Sequence, residues 1–506
     1  MLNTEHTTPR DESPSGERLP AEASARADGA RRARRAKRRK RRSRSERGVA
    51  LLMVLTSVAL LYVMAQQTRD EVEVSYAAAA AGRDQVIAHY EAKSGINLAR
   101  LLLHSEPTIR RAITGQLVGL MALFGGPPGQ IPVWEQADTL FGAFRREGGT
   151  RSLSESFGVG EQGAKNLGSL RGAEPILIVD EDSKINVNGA YRGAEVSRRE
   201  AARMVGLTAN PAYEPLFSQR DADGQFTDRA TLLREIIDYS DADQTAFDIG
   251  QLITNDVSGA GAGGPEDNFY GRLRPSYPRR NAPFDSVNEL RMVRGLGDDD
   301  LWAAIVDPDP SNPRRRNLTV WGSGQVNVNT ANAQTLLALI CAFGRANLAC
   351  TDPTAARRFT TGITMVQGFT LSMGLPIFGS AQMFTATLQG RGMLGQLFKT
   401  MAGEQPIQIS DTAGLERAIS VESKVFSVFA AARVGLSYTR IHAVIDMRPQ
   451  PQIDSTFLRV TTGGTDVPQS APVVDATRAN NLVQGPSGSV QQVDERGGTI
   501  IYWRED

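Results

Sequence analysis

A run of seventeen residues without a charge, Val49 to Ala65, follows a single glycine and a block of cations. Helical at 1.5 Å rise per residue, it measures roughly 25 Å, the short end of what crosses a hydrocarbon core of about 30 Å. Twelve Lys or Arg lie between Arg31 and Arg47. A positive-inside bias holds that flank in the cytoplasm and sends the chain beyond Ala65 to the other side. The compartment of most of the chain is therefore set by one crossing.

A cleaved secretory signal would place small residues of Ala-x-Ala type after the apolar run. The chain instead has Gln66, Gln67, Thr68, Arg69, Asp70 and Glu71. Helix-favouring sequence continues to Leu103 with no proline, and with Gly82 and Gly95 as its weak points. Alanines 77 to 81 and the spaced Val72, Tyr76, Val86, Tyr90 and Leu98 fit one long helix, half in lipid and half in water. Basic leader, glycine, apolar half-helix and amphipathic half-helix together resemble a type IV pilin or pseudopilin. The resemblance implies cleavage by a prepilin peptidase between Gly48 and Val49, with Val49 to Ala65 as the transmembrane part. An uncleaved signal anchor is the other reading of the same residues.

With 506 residues and 41% hydrophobic content the chain can support two or more cores. Its formal charge of +1 hides an asymmetry: residues 1–48 hold 15 basic and 7 acidic side chains, leaving 42 basic and 49 acidic after the glycine. General nucleic-acid affinity is not expected of that acidic portion. Residues 1–47, rich in Arg, Ser, Glu and Pro, are expected to lack structure. The basic run Arg31 to Arg44 reads as a topology signal, although RNA, DNA or anionic lipid would also suit it.

The pattern predicts an α+β protein. Its expected parts are a basic leader (1–48), an N-terminal helix (49–103), a headgroup in two pieces (104–196 and 411–506) and an inserted all-helical domain (197–410). Strand character appears at Ser152 to Val159 and Pro175 to Val179; Lys184 to Val187 reads as a second strand hairpinned on the first across an acidic turn. Helical periods run through SRREAARMVGL, DRATLLREIIDYSDAD and SVNELRMVRGLGDDDLWAAI. The Met- and Gly-rich segment Thr351 to Pro406 is expected to be core or partly ordered loop. Residues 461–493, rich in Gly, Ser, Thr, Pro and Gln, are expected to be flexible before a closing strand.

An ordered series makes the resemblance specific: DSKINVN (Asp182 to Asn188), IIDYSDAD (Ile236 to Asp243), PEDNFY (Pro265 to Tyr270), RRNAPFDSVNELRMVRGLG (Arg279 to Gly297) and QVNVNTANAQTLLAL (Gln325 to Leu339). With the late strands KVFSVFAAARVG and RIHAVIDMRP and the closing IIYWRED, it is similar to the general secretion pathway protein K family, minor pseudopilins of the type II secretion system. The family's usual Gly-Ala-Glu-Asp is Gly264, Pro265, Glu266, Asp267 here, and Thr351 to Pro406 is unfamiliar. The resemblance implies a pilin-like antiparallel headgroup and a non-enzymatic role at the pseudopilus tip. Implied partners are other minor pseudopilins, the major pseudopilin, prepilin peptidase and the inner membrane, with the bulk in the periplasm. The fifth residue after the expected cut is Met53, where most pilins carry a glutamate that neutralises the amine of the subunit above; its absence fits a subunit with nothing above it.

Three constellations are candidates for chemistry. Asp238, Asp241 and Asp243, with Glu266 and Asp267 after a glycine-rich loop, supply hard oxygens of the kind calcium takes, and the family resemblance implies calcium in the helical domain. Solvated carboxylates at a helix end are the plainer reading, and Asp221, Asp223 and Asp228 form a weaker candidate. ELRMVRGLG, with NVNTANAQTLLAL later, resembles helix-hairpin-helix elements, whose glycine turn can offer N–H groups to a phosphate. That is the alternative function, a membrane-anchored DNA-binding uptake protein, against which stand Asp298, Asp299 and Asp300. Cys341 and Cys350 are a disulfide in an oxidising compartment or two buried thiols. No CxxC, HExxH, GxSxG or P-loop pattern occurs, so no enzyme is expected.

Overall fold

The computed structural model describes residues 22–124, 129–138, 141, 172–189, 191, 194–220, 224, 226–249, 269–344, 347–372, 376, 378–402, 407–448, 482–484, 490–492 and 498–506. They fall into two units, Met1–Arg83 and Asp84–Asp506. Helix α1 runs from Glu22 to Phe124.

In the first unit α1 begins inside the leader expected to lack structure. Residues 22–47 contain no proline and are mostly Ala, Arg and Lys, all strong helix formers. From Val49 to Ala65 every side chain is exposed, Leu60 by 65% and Met53 by 63%. A continuous apolar surface of this kind is stable in lipid, where the helix satisfies its own backbone groups.

The second unit contains the rest of α1, which continues past Leu103 and through Pro107. Proline removes one backbone bond, and the helix is held beyond it from outside: buried Glu106 accepts the Ile131 N–H at 3.0 Å and lies 3.4 Å from Arg110. Next along the chain are β1 (Leu177–Asp180), β2 (Ile185–Asn186), α2 (Ala194–Thr208), α3 (Arg229–Ser240), β3 (Leu318–Thr319), β4 (Val326–Asn327), α4 (Ala333–Phe343), α5 (Leu348–Thr351) and α6 (Pro353–Ser372). After them come α7 (Ala381–Leu388), α8 (Gly392–Ala402), α9 (Thr412–Ala418), β5 (Ile419–Ser420), β6 (Val425–Val434), β7 (Ser437–Asp446), β8 (Leu482–Gln484), β9 (Val490–Gln492) and β10 (Thr499–Glu505).

An antiparallel sheet has the order β1-β6-β7-β10. Its inner face, including Ile178, Phe426, Val428, Ala430, Ile441, Ala443 and Ile445, packs on Ala88, Ala92, Ile96 and Ala99 of α1. Those four recur at helical spacing, and three are alanines, so helix and sheet approach closely. A Cβ on Gly95 would lie 3.0 Å from Ala430 Cβ.

The hairpin expected at the acidic turn is not formed. β1 pairs with β6, whereas β2 pairs in parallel with β3. Asp182 diverts the chain: its carboxylate accepts from the N–H groups of Lys424 (2.8 Å), Val425 (3.1 Å) and Ser323 (2.9 Å). The turn is thereby fastened to the start of β6 and to the loop before β4 instead of folding back on β1.

A second core, from Ile185 to Ile419, lies among helices α2 to α9 of the same unit. Two matching pieces build its centre. In Ile185-Asn186-Val187-Asn188 and Val326-Asn327-Val328-Asn329, a two-residue strand leads into an Asx turn, in which the first Asn accepts the N–H of the second at 2.8 and 3.0 Å. The second Asn then clasps a distant backbone with both amide atoms: Asn188 grips Phe284 and Asn329 grips Phe378. The helices after these turns, α2 and α4, pack on each other, with Gly206 against the Ala338 carbonyl. The segment Thr351 to Pro406 supplies α6, α7 and α8, burying Phe359, Ile363, Phe378, Phe384 and Phe398. Of 461–493, the described residues are β8 and β9, an antiparallel pair. Ser152 to Val159 lies outside the described residues.

Candidate functional site

The first candidate lies at the C-terminal end of α3, the negative end of the helix dipole, where extra carboxylates are unfavourable without a cation. Asp238 accepts the Phe247 N–H at 2.8 Å, and Asp243 accepts the Thr245 N–H at 2.8 Å. Asp241 caps the helix, and its Oδ1 is buried with no hydrogen-bond partner. Arg279 donates to the Asp238 carbonyl. Burial, with the charges of Asp241 and Glu235 beside it, pushes the Asp238 carboxyl up to about 7 against the Phe247 N–H. Burial and Asp243 push Asp241 up to about 6.

Crowded carboxylates with an orphaned buried oxygen fit a hard cation in the nature of their donors. Among the described residues, however, no group of three or more His, Cys, Asp or Glu could hold a metal, and Glu266 and Asp267 lie outside them. Asp228 caps α3 by accepting the Thr231 N–H at 2.7 Å; Asp221 and Asp223 are outside the described residues.

The helix that follows the glycine turn is capped by an acid of its own chain. Gly295 has φ +87°, but the N–H groups beyond it are taken, because Asp298 accepts from Asp300 N at 2.9 Å and Leu301 N at 3.1 Å. Before the turn stands a 3-10 helix, Val287–Met292, whose Arg291 pairs with Asp299 at 2.8 Å. The Asp298 carboxylate therefore already takes two of the N–H groups at the start of the helix that follows the turn.

Cys341 and Cys350 form a disulfide inside the helical core, with Cα atoms 5.6 Å apart. Gly48 and Val49 lie within α1, and a Cβ on Gly48 would meet nothing within 4 Å.

One cluster escapes sequence reasoning: the turn Asp180-Glu181-Asp182-Ser183-Lys184 is wholly buried. Lys184 Nζ lies 2.9 Å from Glu181 Oε2, and Thr319 donates its hydroxyl to the same carboxylate. Asp180 accepts hydroxyls from Thr330 and Ser423. Burial pushes Asp180 up to about 7, with the Asp182 charge adding to it. Burial lowers the Lys184 ammonium, opposed by Glu181; burial would raise Glu181, but Lys184, Ser427 and Thr319 outweigh it and hold the carboxyl low. Four charges in five residues read as a solvated turn, and nothing local distinguishes this turn from one.

Residues 183–304 match the family model of the type II secretion system (T2SS), protein K. Among solved structures, the chain is similar to one in the GspK-GspI-GspJ complex from the enterotoxigenic Escherichia coli type 2 secretion system. That match has 16% identity, covers 54% of this chain and 74% of that one, and has a TM-score of 0.32, too slight a likeness to carry an argument. No curated protein matches this chain.

Proposed function

We propose, from the match of residues 183–304 to the family model of type II secretion system protein K, that this chain is a structural minor pseudopilin, anchored in the inner membrane by Val49 to Ala65, that caps the pseudopilus and helps initiate its assembly. The family match is the observation that carries the reading. The exposed apolar half of α1 supports the anchor. Val86, Tyr90 and Leu101 lie on the side of α1 away from the sheet, exposed by 55%, 60% and 60%, and suit packing against the helices of other pseudopilins. Prepilin peptidase cuts between Gly48 and Val49 in this reading, leaving the bulk in the periplasm. Met53 in place of the usual glutamate fits a subunit with no neighbour above it.

Calcium is the metal proposed for the end of α3, held by Asp238, Asp241 and Asp243 with Glu266 and Asp267. Bound there, it would add positive charge to that of Arg279 beside the crowded carboxylates.

Cysteines placed singly at Val86, Tyr90 and Leu101 in assembled pseudopili test the tip position by cross-linking. Cross-links to other pseudopilins on one side only are expected; repeated cross-links of this chain to itself along the fibre would refute a cap. A Gly48→Leu chain should stay uncleaved in the membrane, and a normal mature product beginning at Val49 would overturn the processing step.

A further inference from the structure

Residues 310–403 hold eight basic side chains and one acidic, within a mature portion that is otherwise strongly acidic. Three of the eight are used internally: Arg314 donates to the Ile178 carbonyl, Arg315 faces Asp309 and Arg316 pairs with Asp307. Arg345 lies outside the described residues. The other four, Arg357 and Arg358 on α6, Arg391 just before α8 and Lys399 on α8, are exposed and have no acidic partner among the described residues. The lone acid, Asp352, accepts the N–H groups of Thr354 and Ala355 at the start of α6. Elsewhere in this unit cations such as Arg229, Arg280, Arg291 and Arg448 are paired.

Helix stability does not explain three of the four. Arg357 and Arg358 lie in the first turns of α6, and Arg391 stands at the start of α8, where the helix dipole disfavours positive charge. Only Lys399, in the last turn of α8, stands where a helix favours a cation. The two helices meet through Phe359 and Phe398, whose ring centroids are 5.8 Å apart, so their chain neighbours Arg358 and Lys399 flank one contact. On the same two helices Met365 and Met393 are exposed by 50% and 63%. Methionine is a side chain that adapts to differently shaped partners.

We propose that the outer face of α6 and α8 is a docking surface for an acidic polypeptide, an acidic stretch on the surface of a partner protein. Charge complementarity selects such a partner and speeds its capture, and the methionines supply an apolar contact that does not demand one shape. A lipid surface fits less well: the apolar side of α6, with Phe359, Ile363 and Val366, is buried in the core, and its exposed side carries Thr361, Thr364 and Gly368. The surface depends neither on cleavage after Gly48 nor on calcium.

The test uses the full chain in nanodiscs of zwitterionic lipid, with the twelve Lys and Arg from Arg31 to Arg47 changed to Gln in every chain, the wild-type reference included, so that the leader does not compete for the probe, fluorescent poly-L-glutamate. The wild type should bind it with an affinity that falls as salt rises. A quadruple variant, Arg357→Gln, Arg358→Gln, Arg391→Gln and Lys399→Gln, should bind at least about tenfold more weakly. A control with the exposed Arg198, Arg199, Arg272 and Arg274 changed to Gln should bind as the wild type does. Unchanged melting of the quadruple variant separates lost binding from lost fold, and if it melts early, salt titration of the wild type against the control decides. Equal losses in both variants would overturn the proposal. So would a wild type that ignores polyglutamate but uses these four residues to bind phosphatidylglycerol vesicles or a DNA oligonucleotide.

Discussion

Lys184 and Glu181 form an ion pair with 2.9 Å between Nζ and Oε2 and almost no solvent at either side chain. Such a pair is weak evidence of net stability, since two hydrated charges are given up to make it, but breaking it leaves one buried charge alone. Lys184→Met should therefore destabilise the second unit by about 3 to 5 kcal/mol. The double variant Lys184→Met, Glu181→Leu should recover most of that loss. Urea unfolding of the three chains checks both statements, and a harmless single variant would show the pair to be wet.

Asp180 gives a pH dependence of definite sign. Its carboxyl moves from an ordinary 3.8 to about 7 in the folded chain, so between those values the folded form binds the extra proton. Its contribution is complete below about pH 4 and is lost as pH rises through about 7, amounting to about 4 kcal/mol over the window. Asp180→Asn should flatten stability against pH across that range relative to the wild type. Parallel slopes for the two proteins would place the titration elsewhere.

Gly206 sets two effects against each other. In the interior of a helix, Ala is favoured over Gly by about 1 kcal/mol. A Cβ here, however, would sit 2.0 Å from the Ala338 carbonyl oxygen and 2.9 Å from the Ala342 nitrogen, both backbone atoms that cannot rotate away. Overpacking typically costs about 1 to 3 kcal/mol, and backbone collision lies at the upper end, so the clash wins. Thermal melting of Gly206→Ala should show a net loss; a gain would mean that α2 and α4 can slide apart freely.

Removing the Cys341 to Cys350 disulfide, by changing both residues to Ala, should lower stability by about 2 to 3 kcal/mol, the loop-closure entropy of a ring this short. Adding reductant to the wild type should reproduce the shift in urea midpoint. Reductant should leave the double variant unaffected.

For calcium, a ligand that binds only the folded domain raises its melting temperature by mass action. Wild-type melting should rise with calcium and fall with chelator. The two curves should converge in Asp241→Ala, whose missing carboxylate includes the orphaned oxygen. Identical wild-type curves across millimolar calcium would leave these as plain acids raised by burial.

Local pattern made much of this chain legible. The uncharged run from Val49 to Ala65 and the strand pair of β6 and β7 are written in neighbouring residues, because helix and hairpin periods repeat within a few positions. The spaced Val72, Tyr76, Val86 and Tyr90, by contrast, stay exposed, and α1 turns Ala88, Ala92, Ile96 and Ala99 to the sheet instead. Position along the chain also identified the end of α3 as acidic, yet which of its oxygens lacks a partner depends on Phe247, Thr245 and Arg279. The inserted segment of α6 to α8 was open between core and loop until Phe359, Phe384 and Phe398 were seen to be buried.

The sequence by itself determined where a membrane can be crossed, the α+β class and the presence of one long helix, since each rests on hydrophobic period and backbone preference. Only the tertiary structure decided that the turn Asp180 to Lys184 is buried and that β2 joins β3 instead of β1. The partners responsible, Thr319 for Glu181 and Ser423 for Asp180, are 138 and 243 residues away. A charge is buried or solvated according to what reaches it in space, and that is a property of long-range packing which no local period encodes.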